Sequence, residues 1–149
     1  MSKGCIKDER QAYGKEILGN ARCRQVRKVK PLAKDAMNVI KDAGGTPVLA
    51  HPERYYCVQE RPERIYQWVM EGCLTQCNRA SLEGKFGGRE EITAQRLMDA
   101  NLVTCIASDA HSSHTRTPWL RDIRQALSEE ISPQCARLLL RDNPNRIIQ

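Results

Sequence analysis

A chain of 149 residues with a formal net charge of +6, 40% hydrophobic and 28% charged residues is long enough for one domain with a buried core. It has no apolar run of about 18 residues, which excludes a membrane-spanning helix. Its opening text, MSKGCIKDERQ, lacks the apolar segment of a secretory signal.

A cytoplasmic location is therefore expected, and with it reduced thiols. The seven cysteines, at 5, 23, 57, 73, 77, 105 and 135, form no regular disulfide framework. Cys73 and Cys77 make one C-x3-C pair inside a strand pattern, with no second Cys/His pair at finger spacing. They read as buried thiols rather than a zinc site.

The charge is unevenly placed. Residues 1–30 hold nine Lys/Arg against three Asp/Glu, while residues 31–149 hold fifteen of each. The densest basic run is RCRQVRKVK, 22–30. Few aromatics are available to stack bases and no binding motif accompanies the run, so nucleic-acid binding is not expected. Helices over 9–18 or 22–30 are the alternatives for this segment, and neither has a strong pattern.

From residue 31 the order is regular. Ala33, Ala36, Met37 and Ile40 recur at i, i+3, i+4 and i+7 and predict an amphipathic helix, stopped by Gly44-Gly45. TPVLAHP (46–52) reads as a short buried strand. RPERIYQWVMEG (61–72) predicts a helix with Ile65, Trp68 and Val69 on one face and Gly72 as its stop. CLTQCN (73–78) is the second strand, followed by the loop RASLEGKFGG.

A helix over 89–100 and the strand LVTCIASD (102–109) come next. Helices over 118–128 and 133–141 follow, the latter opened by Ser132-Pro133. NPNRIIQ closes the chain with a last helical turn, Asn143-Pro144 standing in cap positions. Short apolar strands separated by helices describe parallel β/α units. The fold class expected is α/β, with about three parallel strands. Three strands cannot close an eight-strand barrel, which takes about 250 residues.

In such folds the functional groups gather at the carboxyl ends of the strands. There the first strand holds His51, Glu53 and Arg54, the second Asn78, and the third Ser108, Asp109 and His111. Two imidazoles and a carboxylate on one edge suit a divalent metal such as Mn, Zn or Fe. Taken singly, the histidines could be hydrogen-bonded supports and Asp109 a helix cap. Arg54 and Arg116 follow the two histidines closely. A guanidinium fork binds phosphate well. The alternative is that each pairs with a nearby carboxylate such as Glu53, Glu60 or Asp122.

TPVLAHPERY, GCLTQCNRASLEGKFGG and IASDAHSSHTRTP, in that order, resemble the PHP-domain tyrosine-protein phosphatases of bacterial capsular and exopolysaccharide loci. The resemblance implies a partial, distorted β/α barrel of the PHP type and manganese (Mn2+) as the cofactor. It implies His51, Asp109 and His111 as metal ligands, and Arg54 and Arg116 as the phosphate-holding arginines. The implied substrate is phosphotyrosine on a bacterial tyrosine kinase that regulates polysaccharide synthesis.

Family members begin with a strand ending in H-x-H and supply further acidic ligands ahead of the segment matching AHPERY. This chain has no histidine before His51. Residues 31–149 are therefore expected to be the C-terminal part of the phosphatase domain, with residues 1–30 an unassigned basic segment. Losing those ligands weakens metal binding, and open barrel edges favour self-association. A non-catalytic remnant or half-barrel interaction module is the alternative. A histidinol-phosphate phosphatase is the alternative enzyme.

Overall fold

The computed structural model describes residues 17–18, 29–114 and 116–148. Helix α1 spans Val29–Asp42. Its apolar stripe turns Met37 and Ile40 into the core, with Ala33 and Ala36 packed beside them. The helix stops where Gly44 takes φ +79. The N–H groups of Gly44 and Gly45 donate to the carbonyls of Lys41 and Ile40, each at 2.8 Å. These two bonds satisfy carbonyls that a helix end leaves open, and they turn the chain into strand β2, Val48–Ala50.

The same device recurs. Helix α3, Arg64–Met70, ends at Gly72 with φ +88 and delivers β3, Leu74–Asn78. Helix α5, Gly88–Asp99, ends at Asn101 with φ +56 and delivers β4, Cys105–Ala107. In both joins the left-handed residue and its successor bond back to the helix's last-turn carbonyls: Gly72 and Cys73 to Val69 and Trp68, Asn101 and Leu102 to Met98 and Leu97. Each helix-to-strand join from residue 29 onward is thus one motif written three times.

With Ile17–Leu18 as β1, the described strands form one parallel sheet in the order β1-β2-β3-β4. This is one strand more than the three expected. Strand β1, Ile17–Leu18, pairs with Val48–Leu49 at the end of the segment for which a helix was one alternative. Two residues carry no readable period, and a partner edge decides their state. The remaining positions of the basic run, apart from Val29 and Lys30 in α1, lie outside the described residues.

Three further elements escaped the sequence pattern because none is long enough to show a period. They are a 3-10 turn at Pro52–Arg54, helix α2 at Tyr56–Glu60 and helix α4 at Arg79–Leu82. Helices α6, Arg121–Glu130, and α7, Pro133–Arg137, fall where expected. Ser132 Oγ accepts the Cys135 N–H at 3.1 Å, which is the cap expected of it.

A π-helical turn, Leu138–Asp142, then leads into α8, Asn143–Ile148. Asn143 is not a cap: its backbone is helical. Its side chain instead donates to the Thr104 carbonyl at 2.7 Å, covering a backbone acceptor just ahead of edge strand β4. No described helix is long and apolar enough to cross a membrane.

The core lies between the sheet and its helices, with Leu49, Ile65, Trp68, Leu97, Ile106 and Leu127 among its members. Cys73 and Cys77 belong to it as well, and the five described cysteines are buried. Burial pushes Cys73 and Cys105 up to about 12. Burial, with the Glu53 carboxylate as a second cause, raises Cys77 too. Both thiols of the C-x3-C pair are fully buried, which is where the buried-thiol reading puts them.

Candidate active site

Because all four strands are parallel, their carboxyl ends share one edge. His51 leaves β2 with φ +39 and Asp109 follows β4 with φ +50, both left-handed. Such backbone in a non-glycine residue costs of order 1 kcal/mol or more and tends to occur at functional sites. Asn78, the last residue of β3, stands between them and donates its Nδ2 to Asp109 Oδ2 at 2.9 Å.

The two expected phosphate-binding arginines converge on that same oxygen. Arg116 donates an Nη2–H to Asp109 Oδ2, and Arg54 Nη1 lies 3.9 Å from it. Their carboxylate partner is therefore Asp109, and not Glu53, Glu60 or Asp122, which were suggested by nearness in sequence. The parallel sheet brings distant strand ends together, and that proximity outweighs chain separation. Among the described residues one carboxylate faces two guanidiniums, an excess of positive charge. Arg116 Nε is buried without a hydrogen-bond partner. A guanidinium pair with spare donors and excess charge is suited to an anion.

Glu53 is fully buried and takes no part in that pair. Its Oε1 accepts the Asn78 backbone N–H at 3.0 Å and the Ser81 hydroxyl at 2.7 Å. It thereby ties the 3-10 turn that follows His51 to the junction of β3 and α4. Arg79, also buried, donates to the Trp119 carbonyl and anchors the chain that follows Arg116.

The metal-ligand set fits in chemical kind. Two imidazoles and a carboxylate offer the mixed N/O donors that first-row divalent ions accept. His51 Nδ1 is buried and has no hydrogen-bond partner. His111 is exposed, with its Nδ1 2.7 Å from the Asp109 carbonyl oxygen and 3.9 Å from Asp109 Oδ1. The described residues nevertheless gather no group of three or more His, Cys, Asp or Glu side chains able to hold an ion. They offer donors on one edge rather than a closed cage. His114 is exposed.

Sequence reasoning placed Asn78 at this edge but gave it no role. It likewise gave no role in the site to Phe86, whose ring lies beneath both arginines. The available signal was a single phenylalanine in a glycine-bearing loop after β3.

The fold and the cluster define an α/β protein whose parallel sheet presents imidazoles, one carboxylate and a guanidinium pair at its carboxyl edge. The particular family follows from comparison: residues 25–149 match the model for capsular polysaccharide synthesis, CpsB/CapC, and the chain belongs to that family.

Among its relatives, it is 36% identical over 96 residues to tyrosine-protein phosphatase YwqE of Bacillus subtilis, covering 64% of this chain and 38% of the relative. It is 31% identical over 110 residues to tyrosine-protein phosphatase CpsB of Streptococcus pneumoniae, covering 70% and 45%. It also resembles a chain from the crystal structures of YwqE and CpsB, described as metal-dependent tyrosine phosphatases. The TM-score is 0.69 at 30% identity, over 77% of this chain and 47% of that one. The chain thus spans less than half the length of these relatives.

Proposed function

We propose that residues 31–149 form the C-terminal part of a metal-dependent protein-tyrosine phosphatase domain, with residues 1–30 an unassigned basic segment. The reading assigns His51, Asp109 and His111 as metal donors and Arg54 and Arg116 as the groups that hold the phosphoryl oxygens. The observation that carries it is the meeting of the two arginines, from two strand ends, at one oxygen of Asp109.

A divalent ion held there by His51, Asp109 and His111, which we take to be manganese, would supply Lewis acidity and a water of lowered pKa. The chain's own residues do the rest. The arginine pair binds and orients the phosphate, His51 and His111 present their imidazoles at the same edge, and Glu53 and Asn78 fix the turns from which these groups project. The substrate is phosphotyrosine on a tyrosine kinase of capsule or exopolysaccharide synthesis, in the cytoplasm. The relatives' names support phosphotyrosine as the substrate, and the family's description supports capsule synthesis.

The absence of a three-donor cage among the described residues favours a second reading, a half-barrel that contributes its edge to a site completed by other residues. One experiment separates the two. Manganese content and phosphate release from a phosphotyrosine peptide are measured for the purified chain, alone and with the amino-terminal half of a relative added. Activity of the chain alone supports an autonomous enzyme, and activity only after addition supports the half-barrel. A folded sample that binds no manganese and releases no phosphate under either condition overturns the phosphatase reading.

A further inference from the structure

Phe86 is the only phenylalanine in the chain, half-buried in the loop between α4 and α5. The guanidinium carbon of Arg54 lies 4.7 Å from its ring centroid, and that of Arg116 lies 5.6 Å away. Three loops thus meet at one ring: the turn after β2, the loop beyond α4 and the loop after β4. A guanidinium within about 6 Å of an aromatic face is attracted by the ring's quadrupole.

Two guanidiniums so close repel one another, and among the described residues Asp109 is the carboxylate within 4 Å of both. The ring supplies a second attraction without adding a negative charge that would compete with an anion. Of the other carboxylates beside this loop, Glu83 lies 2.6 Å from Lys85 Nζ and 3.6 Å from Arg79 Nε, and those of Glu90 and Glu91 stand against Gly87 and Gly84. The loop itself is held in place. Gly84 takes φ +70, Lys85 N–H donates to the Ala80 carbonyl at 2.9 Å, and Gly87, with φ +121, admits the turn into α5.

We propose that Phe86 is a positioning residue that gathers Arg54 and Arg116 into one anion-binding pair and thereby sets the affinity of the site for phosphate. The proposal rests on the reading of these arginines as the phosphate-holding groups. Phe86 does not touch the phosphate; it acts through the two guanidiniums. Its contribution is electrostatic as well as steric, so tyrosine preserves it, whereas leucine fills the space without a π face.

The test uses the full chain with inorganic phosphate as the probe. In the wild type, NMR signals of the Arg54 and Arg116 side chains are displaced upfield by the ring current. The displacement is lost in Phe86→Leu and kept in Phe86→Tyr. Phosphate binding weakens about tenfold in Phe86→Leu and recovers in Phe86→Tyr, in line with two partly solvated cation–π contacts.

Wild-type arginine signals without ring-current displacement overturn the proposal, with no variant needed. Phosphate bound equally by wild type and Phe86→Leu also overturns it, and leaves the arginines' phosphate role standing. A folded wild-type chain that binds no phosphate overturns that role, and the proposal with it.

Discussion

The carboxylate of Glu53 accepts the backbone N–H of Asn78 at 3.0 Å, joining the end of the β2 turn to the end of β3 inside the core. Removing it leaves that N–H and the Ser81 hydroxyl without their acceptor. Glu53→Ala is therefore expected to cost about 3 kcal/mol of unfolding free energy. Glu53→Gln keeps an acceptor oxygen and should retain most of the stability. Urea denaturation measures both, and a loss below about 1 kcal/mol for the alanine variant would show that this staple is not what holds the turn.

Asp109 is the internal anion of the arginine pair. Asp109→Asn removes its charge while keeping a side chain of similar shape. In metal-free buffer the variant should bind inorganic phosphate about two- to fivefold more tightly, the size expected of a partly exposed ion pair. Under the phosphatase reading it should also take up less manganese. Weaker phosphate binding in the presence of chelator would count against Asp109 as the competing anion.

The buried thiols make a prediction about alkaline pH. The Cys73 and Cys105 thiols, raised from 9.0 to about 12, hold their protons in the folded chain. Above about pH 9 the unfolded chain has lost those protons, so stability falls as pH rises from 9 towards 12. Each thiol removes about 1.4 kcal/mol per pH unit in that window and nothing below it. Replacing both with alanine should flatten the slope between pH 9 and 11. An unchanged slope would rule out these groups as its source.

Asn101 holds φ +56 at the join from α5 to β4, where the two other joins of this kind use glycine. Asn101→Gly should leave stability unchanged or raise it by a few tenths of a kcal/mol. Asn101→Ala should lower it by about 1 kcal/mol, because alanine has no ready access to that backbone region. Thermal melts of the two variants decide, and equal melting temperatures would refute the strain argument.

The architecture was legible from residue 31 onward because its signals are local. The Met37–Ile40 stripe, the glycine stops at 44 and 72 and the Ser132 cap each depend on residues within two turns of one another. Strand β1 was not legible, since two residues become a strand only when β2 offers its edge. Asn143 was misread as a cap because its dipeptide with Pro144 suggests one, whereas the Thr104 carbonyl that it serves is distant in sequence.

The site divides in the same way. Sequence alone determined that His51, Arg54, Asp109 and His111 stand at the ends of apolar strands, because alternating strands and helices oblige every parallel strand to point the same way. Only the tertiary structure decided which groups touch: Asp109 with Arg116 and Arg54, Asn78 with Asp109, Glu53 with Asn78, and Phe86 with both guanidiniums. The reason is physical. Periodicity and turn chemistry act over a few residues. Pairing of charges, rings and buried donors is set by distances across the sheet, to which separation along the chain is no guide.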